Sequence, residues 1–142
     1  MNKFSFDSFL LFGYKDVLLY YESKIKASPT GFNIRNKKLK SFLDENSIEI
    51  KELSTTAKLL AYKPKTRAFF IFSARKHHSR IPCLFYHLRN SFAHNLFSMK
   101  KIGGKDHFYF EDRLRNNTTL KGQIPADLFT NFIKILKQTK QQ

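Results

Sequence analysis

The stretch from Cys83 to Met99 constrains the fold more than any other part of the chain. Between Pro82 and Lys100 it carries one permanent charge, Arg89, in a protein whose lysines and arginines outnumber its acids by 26 to 11 and whose net charge is +15. Pro82 suits the first turn of a helix and Gly103-Gly104 suits the end of one, so the spacing predicts a helix from about Cys83 to Met99 or Lys100. At about 100° per residue, Phe85, Leu88, Phe92, Leu96 and Met99 fall on one apolar stripe that must face a core. His87, Asn90, Ser91, His94 and Ser98 lie opposite, bordered by Tyr86 and Phe97. A solvent-facing surface in so lysine-rich a chain would carry several charges. A polar but uncharged face predicts a semi-buried groove or a contact between subunits, such as two copies meeting across a two-fold axis.

The remaining segments extend that helical pattern over what reads as a single domain, residues 1–142. Five glycines and four prolines are too few for a many-turned β-sandwich. Apolar residues from Phe6 to Ile25 recur at three- and four-residue steps and predict a first helix over Phe6 to Lys26, closed by Ser28-Pro29-Thr30-Gly31. Lys37 to Leu43 predicts a basic helical turn or two, Ile48 to Tyr62 a second helix, and Lys65 to about Lys76 a third. His107 to Glu111 is a short β-prone run that pairs with Thr118 to Lys121 across a polar loop. Pro125 opens a last helix, Ala126 to Lys137, which buries Leu128, Phe129, Phe132, Ile133 and Leu136. The expected fold class is therefore mainly α, a helical bundle with a short β-hairpin before the C-terminal helix.

The charge balance points to a polyanionic partner such as nucleic acid. Cys83 is the single cysteine. It reads as a small core residue in a reducing compartment, which predicts a cytoplasmic protein. Asp7 and Asp16 interrupt the apolar N-terminal stretch, no small-residue cleavage site follows, and no window is apolar enough to span a bilayer. No membrane partner is expected.

Arginine and histidine on one polar helix define a narrow chemistry. Histidine moves protons near neutral pH, and a guanidinium binds a phosphodiester and stabilises the charge that develops on its oxygens. RNA supplies its own nucleophile, the 2′-hydroxyl. The consistent reaction is transesterification to a 2′,3′-cyclic phosphate and a 5′-hydroxyl, with no metal or other cofactor. Asn90 and His94, four residues apart, share a face. Arg89 and His94, five apart, diverge by about 140° on an ideal helix. In a symmetric homodimer the arginine of one copy approaches the histidine of the other, and two histidines come near one phosphate.

The wording Leu88-Arg89-Asn90-Ser91-Phe92-Ala93-His94 resembles the signature of the HEPN superfamily (higher eukaryote and prokaryote nucleotide-binding domains): an arginine, then four to six residues, then a histidine, with a polar residue directly after the arginine. It looks most like the small plasmid- and phage-associated members. The resemblance implies an all-helical, dimerising, metal-independent endoribonuclease with Arg89, Asn90 and His94 as its catalytic set. It also implies a toxin or defence setting with an antitoxin or other defence-system partner. Toxins of this kind that are controlled by a nucleotidyltransferase often carry a modifiable tyrosine two residues after the histidine. This chain departs from that pattern with Leu96. Members that bind nucleotides or RNA, or that scaffold complexes without cutting, supply the alternative, and a basic nucleic-acid-binding regulator is a third reading.

Other residues fill supporting roles. Arg75, Lys76 and Arg80 are candidate RNA-phosphate contacts. His87, three residues before Asn90 on the same face, reads as a groove-lining RNA contact rather than a second base. His77-His78 lacks an accompanying carboxylate or thiol and predicts a basic patch, not a metal site. Ser91 has no Ser-His-acid arrangement around it.

Overall fold

The computed structural model describes residues 6–76 and 78–141. Its centre is a five-stranded mixed sheet, in the order β1-β2-β5-β4-β3. The first helix, α1, is α-helical over Phe6–Phe12 and widens into π-helical turns over Gly13–Leu19 and Tyr21–Ile25. Then follow α2 (Lys37–Glu45), β1 (Ile48–Leu53), α3 (Thr56–Ala61), β2 (Ala68–Ser73) and α4 (Arg80–Ala93). Strands β3 (Phe97–Ile102), β4 (Lys105–Leu114) and β5 (Asn117–Pro125) form a meander, and α5 (Ala126–Gln138) closes the chain. β1 and β2 are parallel and every other pairing is antiparallel.

This architecture overturns the expectation of a mainly α, HEPN-like helical bundle: the fold is α/β. Two predicted helices change identity and a third is shortened. The stretch from Ile48 to Tyr62 divides at Ser54-Thr55 into β1 and α3, with the Thr55 side chain capping α3 by accepting from the Lys58 amide at 3.1 Å. Ile48 and Ile50 alternate with Glu49 and Lys51, a two-residue period that an Ile-rich segment satisfies as a strand. The predicted helix from Lys65 to Lys76 is β2, an unbroken apolar run, Ala-Phe-Phe-Ile-Phe, whose Phe70, Ile71 and Phe72 are all buried. Such a run is ambiguous by periodicity alone and becomes a central strand because neighbours cover both of its faces. The motif helix also stops short, at Ala93, and its predicted last turns, Phe97 to Lys100, belong to β3. Leu96 and Met99 are therefore not part of a helical stripe.

Elements α1, α2, α4 and α5 cover one face of the sheet, where the aromatics meet. Phe9 lies 4.0 Å from Phe108 ring to ring, and Phe70 stacks on Phe132 at 4.9 Å. Each fully buried Phe contributes about 2–3 kcal/mol of transfer free energy. Two glycines permit this packing. A Cβ on Gly13 would lie 2.0 Å from the Phe92 ring, and one on Gly122 would lie 2.5 Å from Phe70. The opposite face of the sheet is covered in part by α3, through Leu59, which is fully buried. Among the described residues, no helix is long and apolar enough to cross a membrane.

Candidate functional site

The position of α4 follows from strand register. Glu52 of β1, Phe72 of β2, Leu120 of β5 and Asp112 of β4 form one row across the sheet. At one end of that row Arg80 pairs with Glu52, Nε to Oε1 at 3.9 Å; at the other His87 pairs with Asp112, Nδ1 to Oδ2 at 2.8 Å. Three strand gaps are about 14 Å, and seven residues of helix rise about 10 Å, with the length of the Arg80 side chain closing the difference. Helix α4 thus runs across the strands, anchored at both ends by carboxylates.

The uncharged polar face predicted for this helix is real in its middle, and its own chain covers it. His87, Asn90 and Ser91 are all buried. Asp112 Oδ2 accepts from His87 and, at 3.0 Å, from the Asn90 amide; its Oδ1 accepts from the Arg113 backbone N–H at 2.9 Å. The other ring nitrogen of His87, Nε2, lies 2.9 Å from the Ser73 carbonyl. Both nitrogens therefore face acceptors, and one carboxylate oxygen ties His87 and Asn90 together inside the protein. The Ser73 carbonyl also accepts from the Cys83 thiol at 3.4 Å, and burial pushes that thiol up to about 12. Cys83 is no nucleophile at neutral pH.

Arg89 occupies the border between this interior and solvent. Its Nη1 donates to the Asn90 side-chain carbonyl at 2.7 Å, and its Nε lies 3.4 Å from Glu22 Oε2 on α1. Neither of those last two atoms makes a directed hydrogen bond, although both are buried. The contact is an ion pair rather than a fork.

His94 stands at the end of the helix. The Leu96 amide donates to the Ser91 carbonyl at 2.9 Å and the Asn95 amide to Phe92 at 3.5 Å, the paired bonds of a Schellman cap, with Asn95 in the left-handed region at φ 56. The Ser91 hydroxyl reinforces the turn by donating to the Leu96 carbonyl at 2.8 Å. As the capping residue, His94 is exposed, and its ring makes no hydrogen bond among the described residues.

These side chains line one cavity of about 470 Å³ at the end of the sheet. Arg89 and His94, whose roots diverge on an ideal helix, both border it within a single chain, as do Asn90, His87, Arg75 and Lys76. Arg75 is held there with its guanidinium 3.9 Å over the Tyr86 ring. Arg80 is not part of this group; it borders a second cavity on the other flank of the helix. Of the predicted His77-His78 pair, His77 lies outside the described residues, and His78 Nε2 meets the Tyr21 hydroxyl at 2.9 Å.

Sequence reasoning missed Asp112, Arg113 and Glu22. A signal for Asp112 exists: Phe108, Phe110 and Asp112 share one face of a strand, and a carboxylate on a core-facing position needs a buried partner. Arg113 follows a register shift in the β4–β5 ladder directly after Asp112, and it adds a cation to the wall. Glu22 carries no local signal, because only the tertiary fold brings α1 to Arg89. The cavity wall then holds Arg75, Lys76, Arg89 and Arg113 against one carboxylate, which His87 already engages. Its charge is complementary to an anion.

No family model, curated protein or solved structure matches the chain. Among the described residues no group of three or more His, Cys, Asp or Glu side chains is arranged to hold a metal ion.

Proposed function

We propose that this protein is an endoribonuclease that binds an RNA phosphodiester in the cavity at the end of α4 and cleaves it by attack of the adjacent 2′-hydroxyl, without needing a metal. The observation that carries the reading is the meeting of Arg89 and an unengaged, exposed His94 on one cationic cavity. His94 is the proton-transfer residue. Arg89, with one edge turned to Asn90 and Glu22, stabilises the pentacoordinate phosphate through its remaining N–H groups. Asn90 is a positioning residue that fixes the guanidinium and is itself fixed by Asp112. Arg75 and Lys76 hold flanking phosphates. A ribonuclease of this kind fits a toxin or defence effector restrained by an antitoxin.

A second reading is a module that binds RNA or a nucleotide without cutting it. One observation favours it: His87 has both ring nitrogens engaged, so each chain offers the cavity one free imidazole. Transesterification uses a base and an acid. A homodimer that brings a second His94 to the same phosphate would supply both.

The two readings separate in one experiment. Incubation with structured RNA in EDTA should yield 2′,3′-cyclic phosphate ends. His94→Ala should lower the rate by roughly 100- to 10,000-fold while leaving thermal unfolding unchanged. RNA that is bound but survives, with equal affinity for the variant, would establish the binding module instead.

A further inference from the structure

The second cavity, also of about 470 Å³, has an apolar floor of Leu43, Ile48 and Ile50 and a rim carrying Arg35, Lys40 and Arg80. It lies where α2 and the start of α4 meet the β1 edge of the sheet. We propose that this cavity is a second RNA subsite, which receives a nucleotide of the same strand whose scissile phosphate occupies the first cavity. This inference rests on the ribonuclease reading for its substrate but not for its test.

Three observations converge on it. The segment after β2 serves both cavities: Ala74, Arg75 and Lys76 wall the first, and Arg80 rims the second. Cations therefore continue from one site to the other around the start of α4. The nine helical steps from Arg80 to Arg89 rise about 14 Å, a span of a few nucleotides. The second cavity also combines two chemistries that a phosphate site alone does not need. Its isoleucine and leucine floor suits the face of a base, and its rim suits the phosphate on either side. Asp44 is the one acid on the rim and is paired with Lys40 at 3.4 Å; Glu52, paired with Arg80, stands behind it. Neither leaves an unpaired negative charge facing a strand.

The consequence is a preference for substrate length. A dinucleotide fills the first cavity alone, whereas a longer single strand engages both. The test uses a fluorescein-labelled 2′-O-methyl oligouridylate about twelve nucleotides long, which cannot be cleaved because its 2′-hydroxyls are blocked. Arg35→Ala with Lys40→Ala removes two exposed cations from the rim and leaves the sheet intact. This double variant should weaken oligonucleotide binding by about tenfold or more, and should flatten the plot of log affinity against log salt by about 1.4. Its affinity for the equally blocked 2′-O-methyl uridylyl dinucleotide should not change. Adding Arg80→Ala should weaken binding further, with circular dichroism confirming the fold. Oligonucleotide binding equal to the parent's would overturn the proposal whatever the enzyme's activity. A variant that binds the dinucleotide just as poorly would overturn it too, because the cations would then belong to a general field. Because the probe cannot be cut, failure of the ribonuclease reading in the EDTA assay leaves this result to be judged separately.

Discussion

Two histidines seven residues apart on one helix have opposite surroundings. His87 is almost fully enclosed, with both nitrogens bonded and a carboxylate beside it; His94 caps the same helix in solvent, and its ring makes no hydrogen bond among the described residues. The middle of α4 is a locked polar core that joins Ser73, Asp112, Asn90 and Arg89 into one chain of hydrogen bonds. The end of α4 is a turn that presents a free imidazole to a cationic cavity. The contrast teaches that an uncharged polar helix face can mark an internal scaffold rather than a partner. Reactive chemistry is to be sought where that scaffold ends.

The largest test of the contrast falls on Asp112. Asp112→Ala removes the acceptor shared by His87 and Asn90 and leaves both buried side chains without it. Breaking a buried pair from one side costs about 3–5 kcal/mol, so urea unfolding should show a loss of that size. The loss should reach the cavity as well, because Asn90 would no longer be held against Arg89. A loss below about 1 kcal/mol would mean that Asp112 does not hold the middle of α4 in place. Asp112→Asn keeps the shape and one acceptor, and should fall between the two.

The parts of the fold that were legible in the sequence are those whose periodicity is unambiguous. The helical repeat of α1 and α5, the polar loop between β4 and β5, and the basic turn at α2 all lie where spacing placed them. The misread elements have specific causes. Phe-Phe-Ile-Phe in β2 has no alternation because it is covered on both sides, so length and not pattern distinguishes it from a helix. The end of α4 was missed because asparagine, not glycine, occupies its left-handed cap, and asparagine is a weak stop signal beside the later Gly103-Gly104. Of the site, Arg89, Asn90 and His94 were legible as residues. Glu22 was not, since only the packing of α1 on α4 brings it to Arg89, and Asp112 left only the weaker signal of a carboxylate on a core-facing strand position.

A smaller effect probes the locked region from the side of Cys83. Its thiol shares the Ser73 carbonyl with His87, and burial holds it up to about 12. A thiol with a raised pKa stabilises the fold fully below the ordinary thiol value, and that contribution is lost as pH rises from there towards about 12, because the unfolded chain deprotonates first. One unit above the ordinary value the loss should be about 1 kcal/mol, read as a falling urea midpoint. At pH 8 the native protein should resist iodoacetamide, and Asp112→Ala should accelerate alkylation by loosening the same carbonyl. Rapid labelling of the folded parent would show that the middle of α4 opens as readily as its end.

The smallest effect tests the open end. Asn95 sits at φ 56, where a Cβ is tolerated for asparagine and costs an alanine about 1 kcal/mol. Asn95→Gly should keep the left-handed turn and change stability by no more than about 0.5 kcal/mol. Asn95→Ala should lose about 1 kcal/mol and let the last turn fray. Because His94 is aimed by this cap and by no side-chain bond, the two variants should separate in RNA cleavage as well. On the proposed ribonuclease reading, glycine should preserve the parental rate, and alanine should lower kcat with KM nearly unchanged, since the cap does not touch Arg75 or Lys76. Equal rates for both variants would mean that the imidazole finds its working position without the cap. The division between a fixed scaffold and an aimed terminus would then lose its functional content.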